Sequence, residues 1–146
     1  MTLSRVTATL LVATLCAAGC IPADPISVSH AWVRAPTPGR DVAAAYFDII
    51  NRGDASLELI GARSDAARAI EIHTHTQDGD LMRMRKLDAV ALGPGETVSF
   101  APGGRHLMLF GFGAVTSKQI PITLLFSDTT QRTVMFEMRT ATGAQP

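Results

Sequence analysis

The sequence predicts an all-β fold, an antiparallel sandwich or barrel. Three observations predict it. Seven or more short segments are rich in β-branched and aromatic residues. Clusters of Gly, Pro, Asn and Asp separate them at close intervals. The one helical candidate, Ser64 to Ala69, is too short to hold itself in water.

The segments follow in order. Ile26 to Val33 alternates apolar and small polar residues, and the Pro-Gly stretch Ala35 to Gly39 ends it. Ala43 to Ile50 runs into the turn residues Asn51-Arg52-Gly53-Asp54. Leu57 to Ala62 is a further strand. Ala69 to Thr76 and Leu81 to Leu87 flank Asp78-Gly79 and read as a hairpin. Gly93-Pro94-Gly95 and Ala101-Pro102-Gly103-Gly104 punctuate the pieces after it. Leu107 to Phe112, Ile120 to Phe126 and Thr133 to Met138 complete the set, and 140–146 reads as a loose tail.

The chain has 146 residues, the size of one domain. Residues 1–23 differ from the rest. Arg5 precedes an apolar run from Val6 to Ala18, too short for a stable membrane span, and small residues follow. This reads as an export signal. It ends either at Cys20, as a lipoprotein signal whose cysteine becomes a lipid anchor, or near Ala23 by ordinary cleavage. Ala17 stands where lipoprotein signals usually carry leucine. Both cysteines, Cys16 and Cys20, belong to this segment, so the domain over 24–146 has no disulfide and no thiolate ligand. Charges balance at 13 basic and 13 acidic residues with no basic block, which argues against nucleic acid and against a polybasic membrane surface. No nucleophile–base pair, paired-carboxylate signature or phosphate loop suggests an enzyme.

The histidines and methionines are not scattered. His73 and His75, Met82 and Met84, His106 and Met108 each stand two apart. Residues two apart on a strand share a face. With Asp78-Gly79 as a two-residue turn, His75 pairs with Met82 and His73 with Met84, which brings the latter two close enough to close on one metal. His106 and Met108 then arrive from another strand. Two imidazoles and two thioethers, with neither thiolate nor carboxylate, suit Cu(I). Zinc usually recruits cysteine, histidine or carboxylate instead. A blue-copper centre needs a cysteine. His75 and Met82 fall on the same face, nearer the turn, as accessory groups or exposed ones. His30 reads as hydrogen-bonded structure, and Met135 and Met138 read as core.

At these residues the chain resembles the bacterial periplasmic copper chaperones called PCu(A)C. Their signature is His, ten residues, Met, twenty-one residues, then His-x-Met, and His73, Met84, His106 and Met108 match every spacing. Ala31-Trp32-Val33-Arg34-Ala35-Pro36, Ala44-Ala45-Tyr46, Asn51-Arg52-Gly53, Met82-Arg83-Met84-Arg85 and Pro102-Gly103-Gly104-Arg105-His106-Leu107-Met108 resemble the family's other blocks. The likeness runs from about 26 to 139. It implies a Greek-key, cupredoxin-like β-sandwich holding one Cu(I) per chain near its surface on those four residues. It also implies delivery to the CuA centre of cytochrome c oxidase, with the CuA subunit or thiol-bearing assembly proteins as partners. Two departures are visible. Thr74 follows the first histidine where many members have Met or Glu, and 141–146 lacks the Met- and His-rich tail that some members use for Cu(II). The same site would also serve an envelope copper scavenger or buffer. A structural β-sandwich with incidental His and Met residues would bind no Cu(I) stoichiometrically. On the strand of His106, alternation sends Leu107 and Leu109 away from the ligands and into the core.

Overall fold

The computed structural model describes residues 24–79 and 81–140. The export-signal reading, with Cys16 and Cys20, and the tail 141–146 lie outside the described residues.

Ten strands make up the described chain: β1 (Ile26–Arg34), β2 (Val42–Asn51), β3 (Leu57–Arg63), β4 (Ala69–Asp78), β5 (Leu81–Leu87), β6 (Val90–Leu92), β7 (Thr97–Phe100), β8 (His106–Phe110), β9 (Gln119–Phe126) and β10 (Gln131–Arg139). Ser64 to Ala69 forms a turn and the start of β4, with no helix. β6 and β7 are pieces too short for periodicity to reveal; each inserts two apolar side chains, Val90 with Leu92 and Val98 with Phe100.

The hydrogen-bonded path runs β5-β4-β8-β2-β1-β10-β9-β3-β6, and β7 adds to β2. β2 is long enough to take two partners along one edge. Its first half pairs with β8 from Val42 to Ala45, and its second half pairs with β7 from Phe47 to Ile50. All pairs are antiparallel except one. β1 and β10 run parallel, with Trp32 opposite Glu137, so the expected wholly antiparallel sheet has one parallel seam where first and last strands meet. Parallel neighbours need a crossover, and here the rest of the domain is that crossover.

The path folds over a single apolar core drawn from both ends of the order. Phe47 of β2 stacks on Phe100 at 4.4 Å and meets the edge of Phe136 of β10 at 5.6 Å. Leu107 and Leu109 are fully buried, as alternation on β8 requires. β10 corrects one expectation. Met135 and Met138 are three apart, so a strand must send them to opposite faces. Met138 packs against the core beside Phe136, whereas Met135 is half exposed.

The turn after β2 is stapled by Asn51. Its buried side-chain amide donates to the carbonyls of Ala55 at 2.7 Å and Leu92 at 3.0 Å, and its carbonyl oxygen accepts from Gly53 N–H at 2.9 Å. His30 is structural, as its solitary position suggests: its Nδ1–H donates to Asp48 at 2.9 Å beside an irregularity in the β1–β2 ladder.

Candidate metal centre

Three neighbouring strands, β5, β4 and β8, present the His and Met residues from one face. β4 lies in the middle. Toward β8 it sets His73 directly opposite His106 and Glu71 opposite Met108. Toward β5 it sets His75 opposite Met84 and His73 opposite Lys86.

That second register differs from the expected one. Asp78 pairs with Leu81, so the turn falls one residue later than the expected Asp78-Gly79. Gly79 takes the first loop position at φ +61°, which glycine adopts without steric cost. Moving the turn by one residue changes each cross-strand partner by two. A shift of two preserves the face, because side chains alternate with period two. The same residues therefore share a face, but Met84 stands opposite His75 and only diagonal to His73. Met82 pairs with Gln77 near the tip and is largely exposed.

An open cleft forms over this face, lined by His75, Met84, His106 and Met108, with Arg34 and Ala44 on its far wall. His73 stands beside it. Its ring centroid is 6.1 Å from that of His106, and the His75 ring is 5.1 Å from His106. The structure thus gathers all four spaced residues on one surface and adds His75. The signal for His75 was its place two residues from His73; its distance to His106 needed the register.

The protonation of two imidazoles follows from their partners. His106 Nδ1 lies 3.1 Å from the carbonyl oxygen of Gly104. A carbonyl only accepts, so Nδ1 carries the hydrogen and Nε2 keeps the lone pair. The turn that supplies this carbonyl depends on Gly103 at φ +82°. His73 Nε2 lies 2.9 Å from a carboxylate oxygen of Glu71. It donates there, which leaves its Nδ1 lone pair bare. That Nδ1 is buried and has no hydrogen-bond partner, and neither has the buried Nδ1 of His75. Buried nitrogens without partners are uncommon and point to a ligand.

The electrostatics favour neutral imidazole at the bottom of the cleft. His106 is nearly fully buried, and burial holds its pKa below the usual histidine value; the Gly104 hydrogen bond opposes this, while His75, His73 and Arg34 add to it. Neutral imidazole is the form that binds metal. Behind His73, Glu71 is kept well ionised by its hydrogen bonds to His73 and then to Lys86, whose ammonium is 2.9 Å away. This is the carboxylate–imidazole pairing that orients metal-binding histidines. Next to His106, Tyr46 lies 6.3 Å from its ring and 4.6 Å from Trp32, and Arg34 covers the Tyr46 ring at 5.6 Å. Burial raises the Tyr46 pKa, so the phenol stays protonated and is no anionic ligand. Two thioethers and two imidazoles form a soft donor set, suited to a soft monovalent cation.

The model of the family described as "Putative lipoprotein LpqE-like" matches residues 26–138, nearly every described strand from end to end. The chain belongs to the LpqE-like family. Among curated relatives, "Putative lipoprotein Lxx21020" of Leifsonia xyli subsp. xyli (strain CTCB07) is 34% identical over 125 residues, covering 84% of this chain and 74% of that protein. Among solved structures, the copper-bound PCuAC domain from PmoF2 superposes with a TM-score of 0.68 at 27% identity, covering 80% of this chain and 94% of that one. The solution structure of CuI-DR1885 from Deinococcus radiodurans superposes with a TM-score of 0.61 at 23% identity over 84% of this chain and 81% of that one, a likeness of fold. The resemblance to PCuAC domains read from the sequence, and the cupredoxin-like all-β fold that it implied, are both found.

Proposed function

We propose that this protein is a Cu(I)-binding copper chaperone of the bacterial periplasm, with His73, Met84, His106 and Met108 as ligands to one Cu(I). The observation that carries the reading is the pair of bare imidazole lone pairs, His73 Nδ1 and His106 Nε2, on one sheet face with two thioethers at the spacing of the copper-chaperone signature. The copper-bound state of the PmoF2 domain supports it. Residues 1–23 act as the export signal, with Cys20 as lipid anchor if cleavage falls there; the lipoprotein names of the family and of the Leifsonia relative support an envelope location.

The chemistry is transfer of the ion, without turnover. Neutral ligands leave the site with the single positive charge of Cu(I), and Arg34 at the rim adds to it. An acceptor with thiolates then competes well, because thiolate is both softer and anionic. Met84 is half exposed at the edge of the sheet, whereas His106 is buried. An incoming ligand can therefore displace Met84 first and His106 last. The acceptor we assign is the CuA centre of cytochrome c oxidase, reached directly or through thiol-bearing assembly proteins.

The test is an anaerobic Cu(I) titration of the domain against a coloured chelator, beside a Met84→Ala, Met108→Ala double variant. We expect one tight equivalent in the wild type and binding weaker by roughly 100-fold or more in the variant. Absence of competitive binding by the wild type refutes the reading. For the destination, a deletion strain should lose oxidase copper. Normal oxidase with copper sensitivity would move the protein to scavenging instead.

A further inference from the structure

Resting on that reading, we infer that His75 is a third imidazole of the site, and that His73, His75 and His106 together make a three-nitrogen set that holds Cu(II) where the His/Met set holds Cu(I). The four-residue signature does not include His75. The fold, however, puts it in the cleft lining with Met84, His106 and Met108, directly across the ladder from Met84.

Geometry supports an ion shared between His106 and each of the other two rings. A metal bound at about 2 Å from an imidazole nitrogen lies roughly 3 Å from that ring's centroid, so two rings on one ion have centroids about 4.5–6.5 Å apart. The His75–His106 and His73–His106 separations, 5.1 and 6.1 Å, both fall in that window. The strand arrangement explains why. His73 and His75 are alternate residues of β4, and His106 sits on the neighbouring β8 opposite His73. Three imidazoles on two adjacent strands thus stand on one sheet face, with His106 between the other two in reach of each.

Each ring also has a free donor. His73 Nδ1 and His75 Nδ1 are buried without a hydrogen-bond partner, and His106 keeps its Nε2 lone pair because Nδ1 donates to Gly104. Nothing pins the His75 ring by its side-chain nitrogens, so it can rotate toward the ion, while Gly104 also accepts from the His75 backbone N–H at 3.4 Å and ties the two segments together. Imidazole suits Cu(II), thioether suits Cu(I), and Cu(II) outcompetes the other divalent first-row ions at nitrogen sites. One cleft therefore offers nitrogen donors for the oxidised ion and sulfur donors for the reduced one, sharing His73 and His106.

The two donor sets make a crossed test possible. Wild type, His75→Ala and the Met84→Ala, Met108→Ala double variant are each titrated with Cu(I) against a chelator, anaerobically, and with Cu(II) buffered by glycine. A His30→Ala background removes the one histidine that lies away from this sheet face. We expect His75→Ala to weaken Cu(II) by roughly 100-fold and Cu(I) by far less, and the methionine double variant to show the reverse order. The nitrogen superhyperfine pattern of the Cu(II) EPR spectrum should fall from three nitrogens to two in His75→Ala. A structural role for His75 would weaken both ions alike and leave the nitrogen pattern unchanged between wild type and variant. Wild type that binds Cu(I) but not Cu(II), or Cu(II) binding untouched by His75→Ala, overturns the inference and leaves the chaperone reading standing. Wild type that binds neither ion overturns both.

Discussion

Glu71 should set copper affinity without touching the ion. Its carboxylate accepts the His73 Nε2 hydrogen at 2.9 Å and holds the Lys86 ammonium at the same distance. Three consequences follow from removing it. The His73 tautomer with a bare Nδ1 loses its anchor, so the ring populates the form in which Nδ1 carries hydrogen and cannot bind metal. The ring loses the basicity that a carboxylate partner lends. Lys86, directly across from His73, is left as an unpaired cation near a site that must take another. Partners of this kind are worth about 10–100-fold in metal affinity. Glu71→Ala combines all three losses and should reach the upper part of that range for Cu(I). Glu71→Gln keeps an acceptor oxygen for His73 but gives up the charge, so it should fall near the lower end. The assay is the same anaerobic chelator competition, with circular dichroism to show that the sheet is intact. Glu71 is one-third exposed and lies on the outer face, so neither change should unfold the domain. Cu(I) affinity of Glu71→Ala within about two-fold of wild type would refute the tautomer argument, because that is far below what such partners contribute.

Two further outcomes are expected. Asn51→Ala removes three hydrogen bonds at a fully buried position and strands the Leu92 carbonyl. At about 1 kcal/mol per bond, the three together cost about 3 kcal/mol. Thermal unfolding should drop by roughly 8–15 °C, and a loss under about 2 °C would mean that this turn is not held by the side chain. The metal-free domain should lose stability as pH falls from about 7 toward 5. Burial holds the His106 pKa below its unfolded value, so in that window the unfolded chain takes a proton that the folded chain refuses. Unfolding is then favoured by acid, and the stability is fully present only above the unfolded histidine value of about 6.5. The lowered carboxylates, Asp48, Glu71 and Asp128, act at lower pH and leave this window to His106. Urea midpoints measured across the range check it, and His106→Gln should flatten the slope.

Much of the fold was legible in the sequence because strands are local. Eight of the ten were marked by composition and by the Gly, Pro, Asn and Asp between them. The two that were missed, β6 and β7, span three and four residues, too few to carry a period. Met135 shows the limit of residue type alone. Methionine suggested core, yet its odd offset from Met138 put it outside.

For the site, the sequence by itself determined which side chains share a face and what kind of donor each is. His73, His75, Met84, His106 and Met108 stand at even spacings within their strands, and period-two alternation needs no tertiary information. Donor chemistry is equally local: thioethers and imidazoles without thiolate are soft and neutral wherever they are. Only the tertiary structure decided the partners. A turn at Asp78-Gly79 and one a residue later are both acceptable, and local turn preference could not choose between them. The choice moved Met84 from opposite His73 to opposite His75. Sequence was equally silent on β8 pairing with β4, on the burial of His106, and on the parallel meeting of β1 and β10. Those depend on long-range pairing, where the free energy comes from closing one core over strands far apart in the chain.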